Sequence, residues 1–173
     1  MTNPAWLKGR GDLAANVVIA LSVLAIGVHF FKPELLRLPS TEPSVIQAGQ
    51  RFALPPSQIP AADQTLVVVL QQGCGYCAAS MPFYRKLAQA VEGSPRRHLT
   101  AILPQDIATG KRYLASNNVP IADVRQAALR SIDTPYTPTL LLLDRNSTVQ
   151  RVWIGQLSPE SEQQVLQTLT QKP

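Results

Sequence analysis

Thr65-Leu-Val-Val-Val-Leu-Gln-Gln-Gly-Cys-Gly-Tyr-Cys77 is the stretch on which the reading of this chain turns. Its first six residues are continuously apolar or β-branched, the pattern of a strand buried on both faces of a helix-covered sheet. Gln71-Gln-Gly-Cys-Gly75 reads as a turn, and a helix is predicted from about Gly75 to Val91. Cys74 and Cys77 therefore stand where a buried strand hands over to a helix. Unpaired backbone N–H groups and the helix dipole favour negative charge at that point. A cysteine there can have its pKa lowered from about 8.5 to roughly 3.5–7.5. Cys74 is the candidate attacking sulfur, and Cys77, one turn further in, the candidate resolving thiol. Gly75 leaves room for the sulfurs to approach each other, and Tyr76 offers an aromatic edge beside them.

These are the only two cysteines in 173 residues. A disulfide framework for a small secreted domain needs more of them at wider spacing. A bond across a single helical turn closes almost no loop and adds little stability, so the value of the pair lies in chemistry. A C-x-x-C can also be half of a zinc site. There is no second pair, and the histidines are His29 and His98 alone. A soft ion such as Cu(I) could still take two thiolates. The net charge of +5 comes from 16 basic and 11 acidic residues that are interspersed. No concentrated basic face or aromatic-rich motif suggests nucleic-acid binding.

Beyond the cysteines, strands are predicted at His98–Leu103, Thr139–Asp144 and Val149–Ile154, the last two joined by a polar Arg145-Asn-Ser turn. Helices are predicted at about Asp106–Ser116 and from Ser158, where an N-cap serine precedes Pro159. A further helical piece is expected between Val119 and Ile132. The order is that of an α/β sandwich.

Residues 1–12 read as a short tail, and 13–31 as a transmembrane anchor. Leu13–Phe31 carries no charge over 19 residues, enough at 1.5 Å per residue to cross a hydrocarbon core of about 30 Å. Trp6 and Phe30-Phe31 fit the two interfaces. A cleaved signal peptide is the competing reading, but the apolar run is long and ends in Gly-Val-His-Phe-Phe, a poor cleavage site. Lys8 and Arg10 before the run are matched by Lys32 and Arg37 after it. A short tail ahead of a long domain then favours the tail inside and the domain in the periplasm or outside the cell, tethered to the inner membrane. Residues 32–62 hold Pro33, Pro39, Pro43, Pro55, Pro56 and Pro60, a density that excludes long helices and central strands. They read as a tether that settles onto the domain, with 50–54 as an edge strand. Residues 63–173 form the domain.

The domain resembles the thioredoxin superfamily over roughly Gln50 to Leu169. The resemblance rests on the C-x-x-C between strand and helix, on Pro82 eight residues after Cys74, and on Thr137-Pro138-Thr139 leading into Leu140-Leu-Leu-Leu143-Asp144. It is nearest to the membrane-tethered redoxin and TlpA/ResA-like proteins of bacteria. The resemblance implies a thioredoxin-like three-layer sandwich, a central mixed sheet flanked by helices, and thiol–disulfide exchange through Cys74 and Cys77. It implies a helix kink at Pro82 and a cis Pro138, with Pro135 as the rival position. Thr137, Pro138, Gly75 and Tyr76 would guide an incoming peptide. No dissociable cofactor and no metal is implied. The partners would be a protein thiol or disulfide and a redox partner protein, and the chain would act as a monomer. Three positions depart from the pattern. Val68 stands where thioredoxins keep a buried Asp, Gly73 replaces Trp, and the dipeptide is Gly-Tyr instead of Gly-Pro. A peroxidase of the peroxiredoxin kind would need Thr and Pro where Gln71 and Val67 stand. A thioredoxin-like binding module with idle cysteines is the bland alternative. Trp153, Phe83, Tyr113 and Tyr136 are expected to pack, and His98 to lie at the surface.

Overall fold

The computed structural model describes residues 16–24, 26–27, 44–52, 54 and 62–170. The chain divides into two units, Met1–Glu42 and Pro43–Pro173. In the first, residues 16–24 are helical, with Val17, Val18, Ile19, Leu21, Val23 and Leu24 all exposed. Ser22 returns its hydroxyl to the Val18 carbonyl at 2.8 Å. No helix among the described residues is long and apolar enough to cross a membrane, and the ends of the predicted 13–31 anchor lie outside them.

The second unit is built on a five-stranded mixed sheet: β1 (Gln64–Val69), β2 (Arg97–Leu103), β3 (Asp123–Gln126), β4 (Thr139–Asp144) and β5 (Val149–Ile154), in the order β3-β2-β1-β4-β5. β1 lies parallel to β2 and antiparallel to β4, so it is central, as its uninterrupted apolar run requires. The helices are α1 (Gly75–Ala79), α2 (Met81–Val91), α3 (Ile107–Ser116) and α4 (Pro159–Thr170).

Strand alternation sorts the core into two layers. Leu66, Val68, Ala101, Leu103, Leu140 and Leu142 face a cluster completed by Leu87 and Val91 of α2, Leu114 of α3, and Val165 and Leu169 of α4. Val67, Val69, Ile102, Leu141 and Leu143 face the other way. There Ile46, Phe52 and Ile132 cover them. Ile132 comes from a 3-10 turn, Leu129–Ile132. Among the described residues this third layer is made by a strap, residues 44–52, and the 3-10 turn. Arg51 makes a single bridge to Thr148 where an edge strand was expected, and the strap is held by Phe52 and Ile46 N–H bonds to Ser147 and Asp133.

Two predicted helical stretches differ. The helix expected over Gly75–Val91 is two helices that meet at Ser80, because Pro82 has no N–H to give to Ala78 and sits instead in the first turn of α2. The helical piece expected within Val119–Ile132 is β3 followed by the 3-10 turn. Asp123-Val-Arg-Gln has one apolar residue and no readable period. It is a strand because parallel pairing to β2 places Val124 in the core, and because Asp123 takes His98 at 2.8 Å and Arg125 at 3.0 Å. His98 is half-buried as that partner. Gly110 lets α3 sit close over this edge: a Cβ there would meet Val124 Cγ1 at 3.0 Å.

Candidate active site

β1 ends at Val69, and Gly73, with φ +84°, turns the chain into α1. That left-handed conformation suits glycine and delivers Cys74 to the N-cap of α1. There the Cys74 Sγ accepts the Cys77 N–H at 3.2 Å, taking one of the helix's free amides. From the other side comes the loop before β4. Thr137-Pro138 is cis, and the Cys74 thiol donates to the Thr137 carbonyl at 3.4 Å. The loop is itself fixed: Thr139 Oγ1 donates to the Tyr136 carbonyl at 2.7 Å, and Gly155, at the end of β5, donates its N–H to the Pro138 carbonyl at 2.7 Å.

The structure therefore brings Cys74, Cys77, Thr137 and Pro138 together at the end of the sheet where β1 finishes and β4 begins. Gly75 is exposed, with open space where a Cβ would stand. Tyr76 is exposed to 68 % and Tyr136 to 51 %, so both flank the site without packing into the core, against the expectation for Tyr136. Pro82 lies on α2, exposed and apart from the sulfurs, as the helix break just described.

The two thiols are free and unlike. Partial burial pushes the Cys74 thiol up, but hydrogen bonds from Cys77, Thr137 and the Tyr76 and Cys77 backbone outweigh it and hold Cys74 below the ordinary cysteine value. Cys77 is 0 % exposed, and its burial, with the Cys74 thiol beside it, pushes it up to about 11. A thiolate at Cys74 is accessible to a reagent, while Cys77 is held protonated behind it. This is the asymmetry that an attack-then-resolve sequence needs. Val68, fully buried among apolar neighbours, adds no carboxylate.

Two further residues belong to this end of the core. The Tyr84 phenol, on α2, is pushed up by burial and feels charge on Cys77 and Cys74. Tyr113, on α3, is pushed up by burial and feels the same two sulfurs, and its hydroxyl is buried without a partner. The seven-residue step from Cys77 could have flagged Tyr84 as two helical turns away. No sequence signal points to Tyr113, which arrives from a different helix. Among the described residues no three His, Cys, Asp or Glu side chains gather as a metal set.

A five-stranded mixed sheet with a C-x-x-C at a helix start, opposed by a cis proline, defines a thioredoxin-like α/β domain, and solved structures of that kind match it. StoA from Bacillus subtilis matches with TM-score 0.53 at 14 % identity, over 65 % of this chain and 86 % of that one. A thiol-disulfide isomerase from Corynebacterium glutamicum matches with TM-score 0.53 at 15 % identity, over 79 % and 99 %. The thioredoxin domain of a thiol-disulfide oxidoreductase from Bacteroides vulgatus matches with TM-score 0.56 at 12 % identity, over 73 % and 99 %. At these identities the likeness is one of fold. No family model matches the sequence, and no curated protein does.

Proposed function

We propose that the chain is a thiol–disulfide oxidoreductase that exchanges disulfides with protein substrates. Cys74 attacks a substrate disulfide, or receives attack in its oxidised form, and Cys77 resolves the mixed disulfide. One observation carries this: an accessible sulfur held below the ordinary cysteine value lies one turn from a buried sulfur held above it. The solved structures that share the fold include proteins named as thiol-disulfide oxidoreductases and isomerases, which supports the same reading. The cis Pro138 and the Thr137 carbonyl form the wall opposite Cys74, and there an extended peptide would lie against the backbone. The exposed rings of Tyr76 and Tyr136 would contact residues flanking the substrate cysteine. A second redox protein restores the working state of the pair.

The reading extends to location. Residues 13–31 would tether the chain to the inner membrane, with the domain on the periplasmic or outer side, acting as a monomer. The support is the uncharged run itself and the exposed apolar side chains of helical residues 16–24, with Ser22 satisfied internally as a lipid setting requires.

Trapping tests the function directly. Cys77→Ala leaves a mixed disulfide with nothing to release it, so covalent adducts through Cys74 accumulate and disappear on reduction. Failure to form any adduct, in a folded variant offered oxidised and reduced protein substrates, overturns the reading.

A further inference from the structure

Resolution of a mixed disulfide requires Cys77 to give up its proton in a place that opposes it. Cys77 is fully buried, among Val68, Met81, Tyr84 and Leu140 of one apolar cluster. A buried anion is costly unless hydrogen bonds reach it. The groups that face it can be named element by element. β1 and β4 offer only aliphatic side chains. Cys74 and the Gln71 backbone come from the turn, and Thr137 from the loop before β4. α2 offers Tyr84, whose hydroxyl is not among the unpartnered buried atoms. α4 brings Glu162 to within reach of Tyr84, and Glu162 is paired with Lys86 at 4.0 Å. α3 offers Tyr113, whose ring packs on the cluster that holds Cys77.

Among the described side chains, three buried polar atoms find no partner: Gln105 Oε1, Thr134 Oγ1 and the Tyr113 hydroxyl. Gln105 Oε1 can only accept. Native interiors leave few such groups unpaired, and each one asks for an explanation. We propose that the Tyr113 hydroxyl is held in reserve for the resolving step, donating to the Cys77 thiolate as it forms. This rests on the oxidoreductase reading above and adds to it the group that supports the second sulfur. In that step Cys77 attacks the Cys74 sulfur of the mixed disulfide. The Cys74–Cys77 bond forms, the bond to the substrate sulfur breaks, and the electron pair leaves with the substrate. The proton shed by Cys77 ends on the substrate thiol, so no outside oxidant or reductant enters. The phenol keeps its own proton throughout.

The aromatic disulfide reagent DTNB separates the two steps. Reduced protein releases one thionitrobenzoate when Cys74 attacks, and a second when Cys77 closes on Cys74. Tyr113→Phe should leave the first release unchanged. It should slow the second about tenfold near neutral pH, the scale of one hydrogen bond to a charged group, and move its pH profile to higher pH. The thermal midpoint should hold or rise, since only an unpartnered hydroxyl is lost. Tyr84→Phe, which removes a hydroxyl that is not among the unpartnered ones, should stay within about twofold. A second release in Tyr113→Phe that matches wild type in rate and pH profile overturns the proposal, as does a slowing found in Tyr84→Phe instead. A wild-type protein that never gives a second release overturns the oxidoreductase reading itself, a different result from either.

Discussion

On one face of the sheet, Leu66, Val68, Leu140 and Leu142 share their layer with Cys77, Tyr84 and Tyr113 under the helices α2, α3 and α4. On the other, Val67, Val69, Leu141 and Leu143 share theirs with Ile46, Phe52 and Ile132 under a strap and a 3-10 turn. The strands supply the same aliphatic residues to both, one position out of phase. What differs is the cover. Helices bring ends, and ends bring unpaired amides and the side chains that answer them. The helix side therefore carries a sulfur at an N-cap and phenols that sense it. Among the described residues, the strap side contributes buried apolar area and no titratable group to its cluster. Both faces of the central strand bury apolar area, but the chemistry is drawn from one of them.

The sharpest way to break this contrast is at Cys74. Cys74→Ser keeps an N-cap oxygen for the Cys77 amide, so α1 should still start at Gly75. Protein disulfide exchange should fall by about a thousandfold or more, because a serine hydroxyl stays un-ionised and cannot form the mixed disulfide. Circular dichroism should be unchanged. A variant that retained more than a tenth of wild-type turnover would separate the activity from this sulfur.

The strap face predicts the reverse pattern. Phe52 is buried against Val67, Leu143 and their neighbours through the second layer. Phe52→Ala should lower unfolding free energy by about 3 kcal/mol, the ordinary cost of emptying an aromatic site. Well below its melting point, it should leave the rate of Cys74 alkylation within about twofold, since none of the described strap residues is hydrogen-bonded to the site. A large change in alkylation rate would mean that the two faces are coupled, and the division of labour drawn above would not hold.

How much of this could be read from the chain depends on how far each signal reaches. β1, β4 and β5 were legible because apolar runs and turn residues are local; the predicted Thr139–Asp144 and Val149–Ile154 are the strands observed. The Thr137-Pro138 cis bond was legible through the resemblance, and by the strand that starts straight after it. β3 was not, because a four-residue edge strand with Asp123 and Arg125 is held by its neighbours and not by its own pattern. The break at Ser80 was half legible: Pro82 announces a disturbance, but the pattern alone does not say whether the helix kinks or restarts, and here Pro82 sits in the first turn of a second helix. Tyr113 was not legible at all. Its meaning is the lack of a partner for a buried oxygen, a property of three-dimensional packing.

The smallest effect expected separates the thiols by pH. For the dithiol protein, Cys77 keeps its proton in the folded state up to about 11, while in the unfolded chain it loses it near the ordinary value of 9.0. Between those values the native state binds more protons than the unfolded one, so stability falls as pH rises through the window. Cys74 has the opposite sign. Its folded value is lowered, so stability rises as pH climbs towards 9.0 and is lost as pH falls through the folded value. Reduced protein should therefore lose stability above about pH 9 more steeply than Cys77→Ala, when both are unfolded by urea in the same buffers. Below that pH the reduced protein should gain stability with rising pH more than Cys77→Ala does, because the variant lacks the Cys77 hydrogen bond that helps hold Cys74 down. A difference between the curves that stays constant across the window would mean that the buried sulfur ionises as freely in the fold as in water. The contrast between the two cysteines would then lie in access alone.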